Sequence, residues 1–248
     1  MQLKGKIILV TGASSGIGEA LVRELIKREC LVIGCARSLD KLTALQNELG
    51  SSFIPAACDV SNIDDVKKTR DILLEKNLCP SAFFLNAGIA GEECVEDPKY
   101  FSLEKHAKVM AVNYFGALAF VECFEKACQE KGGAHFIVTS SVNAIFAPPT
   151  GSAYAASKAA ISKAFEGLSI TYFETNLKFS HILTGPVRTN GLKGKWPFVW
   201  GPSKMACYMA DFMIKDKQCG IPSVFYYVVA HLLRLLPYQW TMKVLKRA

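Results

Sequence analysis

The chain alternates, almost without interruption, between short apolar runs and amphipathic stretches of helical period. KIILVTG (6–12), LVIGCAR (31–37), SFIPAACDV (52–60), SAFFLNAG (81–88), AHFIVTSS (134–141) and KFSHILTG (178–185) read as strands. Between them lie GIGEALVRELIKRE (16–29), SLDKLTALQNELG (38–50), SNIDDVKKTRDILLEKN (61–77), a long segment over about 103–130, and SAYAASKAAISKAFEGLSITYFE (152–174), each with apolar residues at helical spacing. Ser38, and Ser61 or Asn62, stand where helix caps belong, and Gly50 where a helix stops. Strands that are apolar on both faces and separated by helices imply a parallel sheet covered on both sides. Right-handed crossovers make such a sheet doubly wound. The pattern predicts one α/β domain over residues 1–221, with six or seven strands and helices on both faces, followed by an apolar and basic helical extension over 222–248.

A chain of 248 residues is ample for one such core. Its nine cysteines are odd in number and scattered, with no CxxC pair and no Cys/His cluster at zinc spacing, so metal is not expected and reduced thiols in a cytoplasmic compartment are. The opening MQLKGKIILVTG runs straight into a strand and lacks the h-region and cleavage site of a secretory signal. The net charge of +7 is uneven: after Asp216 no acidic residue occurs, while Lys217, Arg234, Lys243, Lys246 and Arg247 are basic. The body is thus nearly neutral, which excludes a broad nucleic-acid footprint.

The first strand empties into TGASSGIG (11–18). Gly12 permits a tight turn, Gly16 lets backbone approach a pyrophosphate, and Gly18 lets the following helix pack on the sheet. The helix start then offers N–H groups and partial positive charge to phosphate. At the end of the second strand, where NAD binders usually carry an acid for the ribose 2′-OH, the segment reads CARS. Arg37 there suits a 2′-phosphate, so NADP(H) is expected over NAD(H).

Together with Asp59-Val60, Asn86-Ala87-Gly88, Asn113 in VNYFG, Ser141, YAASK (154–158) and GPVRT (185–189), these residues resemble the short-chain dehydrogenase/reductase family over most of residues 5–205. The resemblance implies a Rossmann fold and an oxidoreductase acting on a carbonyl or secondary alcohol, with Tyr154, Lys158, Ser141 and Asn113 as catalytic residues. Tyr154 and Lys158 are four apart and share a helix face. A free phenol has a pKa near ~10, and an ammonium one turn away favours the phenolate, making Tyr154 a general acid in reduction and base in oxidation. Ser141 would orient the substrate oxygen. Lys158 would also bind nicotinamide-ribose hydroxyls, and Asn113 would support a water relay to Lys158. For the cofactor, the resemblance implies Gly12, Ser14, Ser15, Gly16, Ile17 and Gly18 at the phosphates and Asp59 and Val60 at adenine. It adds Asn86, Ala87 and Gly88 as nucleotide supports, and Val187 and Thr189 at the carboxamide. The chain departs from the family pattern at Leu85, at Thr184 and above all beyond residue 218, where only a short strand near Cys219–Pro222 is expected.

Residues 189–203 should form a lid over the substrate, with Trp196, Phe198 and Trp200 as a hydrophobic cover and Met110, Tyr114, Ile145 and Phe146 as further contacts. An apolar small-molecule substrate follows, whether lipid-like, steroid-like or a bulky aromatic carbonyl. VFYYVVAHLLRLL (224–236) is too short to span a bilayer, which takes roughly 20 residues. It either caps the pocket, packs in a dimer, or lies peripherally on a membrane with its basic flank toward headgroups. A homodimer or homotetramer is expected through the helices that carry Asn113 and Tyr154. Reduction of acyl-carrier-protein thioesters, or a catalytically silent nucleotide-binding scaffold, are the alternative readings.

Overall fold

The alternation resolves into a seven-stranded sheet in a computed structural model that describes residues 3–90, 95, 97, 99–189, 192, 197–237 and 239–241. The strands are β1 (Ile7–Thr11), β2 (Leu31–Ala36), β3 (Phe53–Ala57), β4 (Ala82–Leu85), β5 (Ala134–Ser141), β6 (Leu177–Thr184) and β7 (Cys219–Gly220). The helices are α1 (Gly16–Lys27), α2 (Leu39–Leu49), α3 (Ile63–Glu75), α4 (Leu103–Met110), α5 (Gly116–Glu130), α6 (Ser152–Thr171), α7 (Pro202–Lys215) and α8 (Val224–Leu235). Local signals explain their limits. Asn62 accepts a hydrogen bond from the Asp64 N–H to start α3, Pro202 stands in the first turn of α7, and α2 stops at Gly50.

The strand order is β3-β2-β1-β4-β5-β6-β7, with every pairing parallel. The chain winds outward from β1 to β3, returns to lay β4 on the other side of β1, and winds outward again. This reversal between β1 and β4 opens a crevice at the C-terminal strand ends, where ligands bind in such sheets.

The strand period of two divides the core into two layers. Ile8, Val10, Phe84 and Ile137 face α1, α2 and α7; Leu9, Phe83, Phe136 and Val138 face α3, α5 and α6. In the second layer Phe83, Phe136 and Phe179 lie in register on adjacent strands and stack with ring centroids 4.4 and 5.3 Å apart. Burying a phenyl ring contributes about 1.5–3 kcal/mol, so this ladder anchors the strands that frame the crevice.

The expected long helix over 103–130 is present, but a π-helical segment, Ala111–Phe115, interrupts its α-helical pattern. The wider turn sets Asn113 into the interior, where it is fully buried. This helix is long and apolar enough to cross a bilayer. Phe120, Phe124 and Cys128 on its inner face are instead fully buried against the sheet, which makes it a core helix. The short strand expected near Cys219 is β7, which pairs Cys219 with His181 and Gly220 with Ile182.

Candidate active site

The turn after β1 is built by close backbone approach. Gly12 adopts φ +68°, and a Cβ there would lie 3.0 Å from Ala87 Cα. A Cβ at Gly18 would fall 2.1 Å from the Gly12 carbonyl oxygen, so only glycine seats α1 on the turn. The loop after β4 is tied to this turn: Ala87 N–H donates to Thr11 Oγ1 at 2.9 Å, and Asn86 Nδ2 donates to the Thr11 carbonyl at 3.3 Å. Thr139 Oγ1 donates to Asn86 Oδ1 at 3.2 Å, joining β5 to the same knot. Gly16, with φ +59°, opens α1 beneath Thr189, whose Cγ2 would lie 3.3 Å from an added Cβ.

Over this turn lies a cavity of about 840 Å³, and a smaller one of about 180 Å³ adjoins it. Gly12, Ser15, Arg37, Ala87 and Gly88 line both. Gly16, Ile17, Asn86, Thr189, Tyr154 and Lys158 line the larger, while Ser14, Asp59 and Val60 line the smaller. Four expected residues line neither: Gly18, Asn113, Ser141 and Val187. The glycine cradle, the open start of α1 and the volume fit a dinucleotide, with Arg37 between the two compartments. Asp59 holds its turn as well as lining the smaller cavity. Its Oδ1 accepts from Ser61 N at 2.9 Å and Ser61 Oγ at 2.7 Å. Those bonds first, and the charge of Arg37 last, keep its carboxyl below the usual range.

Tyr154 and Lys158 occupy successive turns at the start of α6. The Lys158 side chain is buried, its Nζ stands 5.7 Å from the Tyr154 ring centroid, and it donates to the Thr139 carbonyl at 2.8 Å. Ser140 Oγ donates to the Lys158 carbonyl at 3.1 Å and lies 2.6 Å from Ser162 Oγ, so β5 holds this turn of α6 in place. Both polar atoms of the Asn113 side chain are engaged. Its Oδ1 accepts from Ile89 N at 2.7 Å, and its Nδ2 donates to Ile89 O at 3.1 Å and Ser157 Oγ at 3.0 Å. It pins the loop after β4 to α6, and a Cβ on Gly88 would lie 3.3 Å from Asn113 Oδ1 and 3.5 Å from Lys158 Nζ. Ser141 is buried and accepts from Asn143 N at 3.1 Å, capping the short turn Val142–Ala144. Its hydroxyl proton remains a donor. Thr11, Thr139, Ser140 and Ser157 are the groups sequence reasoning missed. Each acts across elements distant in sequence, and none carries a local signal. Arg188, inside the quoted GPVRT, also lines the larger cavity.

Of the lid, Trp196 and the glycines at 191 and 194 lie outside the described residues. Val187 pairs with Trp200 in an isolated bridge, and Arg188 N donates to Trp200 O at 2.9 Å. Trp200 does not cover the cavity. It packs on α7, edge-on to Tyr208 and 4.3 Å beneath Lys204 Nζ, because Pro202 turns the chain directly into that helix. Phe198 is exposed and meets Phe225 of α8 at 5.0 Å. Met110, Tyr114, Ile145 and Phe146 line neither cavity, and Tyr114 packs into the layer of α3, α5 and α6. The start of α8 lies over Gly185, with Ser223 Cβ 3.1 Å from where a Cβ there would stand, and Tyr226 donates its hydroxyl to the Pro197 carbonyl.

A glycine cradle and a buried lysine beside a tyrosine thus stand together at the switch point of a doubly wound sheet. The short chain dehydrogenase family profile matches residues 6–198, and the chain belongs to that family. It is 30% identical over 218 residues to an 11-beta-hydroxysteroid dehydrogenase-like 2 of Arabidopsis thaliana, covering 86% of this chain and 66% of that one. It spans 59% and 56% of two further curated relatives. Among solved structures, a short chain dehydrogenase/reductase from Burkholderia phymatum in complex with NAD superposes with a TM-score of 0.85 at 20% identity, covering 94% of each chain. One from Burkholderia cenocepacia in complex with NADP gives 0.84 at 22%, covering 99% of each. At these identities the structures establish the fold.

Proposed function

We propose that the protein transfers hydride between NADP(H) and the carbonyl or secondary alcohol of an apolar small molecule, with Tyr154 as general acid/base. The carrying observation is the buried Lys158 ammonium beside the Tyr154 ring, both in the wall of the cavity that begins at the glycine cradle. The dinucleotide, when bound, supplies or accepts the hydride. The chain's own residues do the rest. Lys158, fixed by the Thr139 carbonyl, stabilises the phenolate and eases proton release from the Tyr154 hydroxyl. Ser141 turns its remaining O–H toward the substrate oxygen. Asn113 holds the loop after β4 beside Lys158 and carries a water relay to it. Arg37 takes the 2′-phosphate, and no acid stands at the end of β2 to take a ribose hydroxyl. Tyr154→Phe should still bind NADPH, read by its fluorescence, while carbonyl reduction falls by about 10³-fold or more. Unchanged turnover would remove Tyr154 from the chemistry.

The apolar-substrate reading is supported by the steroid-related name of the Arabidopsis relative. The outer face of α8 exposes Phe225, Val228, Leu232 and Leu235, and the chain beyond it holds only basic charges. We assign that face to an anionic membrane surface, bound peripherally from the cytoplasm. The double substitution Leu232→Ser/Leu235→Ser should then reduce pelleting with phosphatidylserine vesicles, and equal pelleting would overturn it. A homodimer through the helices bearing Asn113 and Tyr154 should elute at twice the monomer mass.

A further inference from the structure

At the N-terminal ends of the central strands, away from the cavity at their C-terminal ends, two cysteines come close. Cys79 is half-buried in the loop between α3 and β4, and Cys128 is fully buried on the last turn of α5. Both pack into the layer of α3, α5 and α6, and Cys128 Sγ donates to the carbonyl of Pro80, the residue after Cys79, at 3.7 Å. The geometry points to a redox modification site, in which Cys79 and Cys128 close a reversible disulfide in response to a peroxide.

The two thiols differ in a way that suits this chemistry. The hydrogen bond from Cys128, and then the charge of Lys131, bring the Cys79 thiol down to about 7. The same bond and burial push Cys128 up. Burial raises the thiols of Cys30, Cys35, Cys58, Cys123, Cys207 and Cys219, so among the described cysteines Cys79 is the one poised as thiolate. Its thiolate attacks one oxygen of hydrogen peroxide, the O–O bond breaks and hydroxide leaves, giving a sulfenic acid. The Cys128 sulfur then attacks the Cys79 sulfur, and the S–O bond breaks. The departing hydroxide leaves as water with the Cys128 proton. Two thiols are oxidised by two electrons and one peroxide is reduced to two waters. The resolving thiol is close at hand, because Cys128 Sγ is held against the carbonyl of the residue that follows Cys79.

The test uses the full chain, reduced, desalted and exposed to hydrogen peroxide at pH 7, then blocked with N-ethylmaleimide and mapped with trypsin without reduction. Peptides 77–99 and 127–131 should appear linked, and dithiothreitol should separate them. Because the first peptide also contains Cys94, the Cys94→Ser variant is run in parallel and should give the same link. In Cys128→Ser, dimedone should capture the sulfenic acid at Cys79. Free Cys79 and Cys128 in the wild-type map while Cys207 or Cys219 has reacted would overturn the proposal. So would a link that disappears in Cys94→Ser. The wild-type map decides the matter even if Cys128→Ser fails to fold.

Discussion

The β1–β4 half of the sheet and the β5–β7 half repeat the same strand-helix unit, yet their interiors differ in kind. Within β1–β4, Thr11 is the sole buried polar residue among those described. Within β5 and β6, His135, Thr139, Ser140, Ser141, Ser180, His181 and Thr184 are all buried. The first half builds its cradle from backbone, through glycine turns and a helix start, and its side chains are free to be a dry core. The second half must hold side chains in fixed positions, so it carries hydrogen bonds inside. Most are satisfied: Ser140 bonds Ser162 and the Lys158 carbonyl, and Ser180 bonds His135 and the Lys217 carbonyl. His181 Nδ1 has no partner among the described residues, at a cost of about 1–3 kcal/mol.

If the turn after β1 depends on backbone contact, Gly18→Ala should be strongly damaging. It drives a Cβ into the Gly12 carbonyl and should cost about 3 kcal/mol in urea unfolding. Gly167→Ala, in open space on α6, should instead gain up to about 1 kcal/mol. Parity between the two would erase the distinction.

The polar second half should show in the pH dependence of stability. Burial holds His135 down to about 4, against 6.5 when exposed. Between these values the unfolded chain binds the extra proton, so the stability present above pH 6.5 is lost as pH falls toward 4. His135→Asn should recover about 2 kcal/mol of the loss between pH 6.5 and 5, measured by urea midpoints. His181, also lowered by burial, should leave a residual slope.

Smaller effects sharpen the contrast. If Arg37 takes the 2′-phosphate as proposed, Arg37→Ala should raise KM for NADPH about tenfold, about 1.4 kcal/mol, and leave NADH nearly unchanged. Phe225→Ser, on the outer face of α8, should move stability by no more than about 0.5 kcal/mol.

The first half was the more legible. Apolar period, Gly12, Gly16 and Gly18 each state a local requirement that a reader can recover. In the second half β5 and β6 were legible from their apolar runs, and of its side chains Tyr154 and Lys158 were, because their spacing is local. Trp200 read as a pocket cover, since its letters show an aromatic but not that α7 would lie beneath it. Ser141 and Asn113 serve as cap and clamp in ways their neighbours in sequence do not announce. Thr139, whose carbonyl receives Lys158, was invisible because any residue has a carbonyl.

By itself the sequence determined the parallel doubly wound sheet, the cradle and the helix face shared by Tyr154 and Lys158, because burial period and glycine geometry are local physics. Only the tertiary structure decided that Thr139 would hold the lysine, that a π turn would bury Asn113, and that Cys79 would meet Cys128. A hydrophobic pattern specifies which face turns inward. Which polar atoms then meet depends on the packing of β5 against α6 and of α5 against the loop before β4.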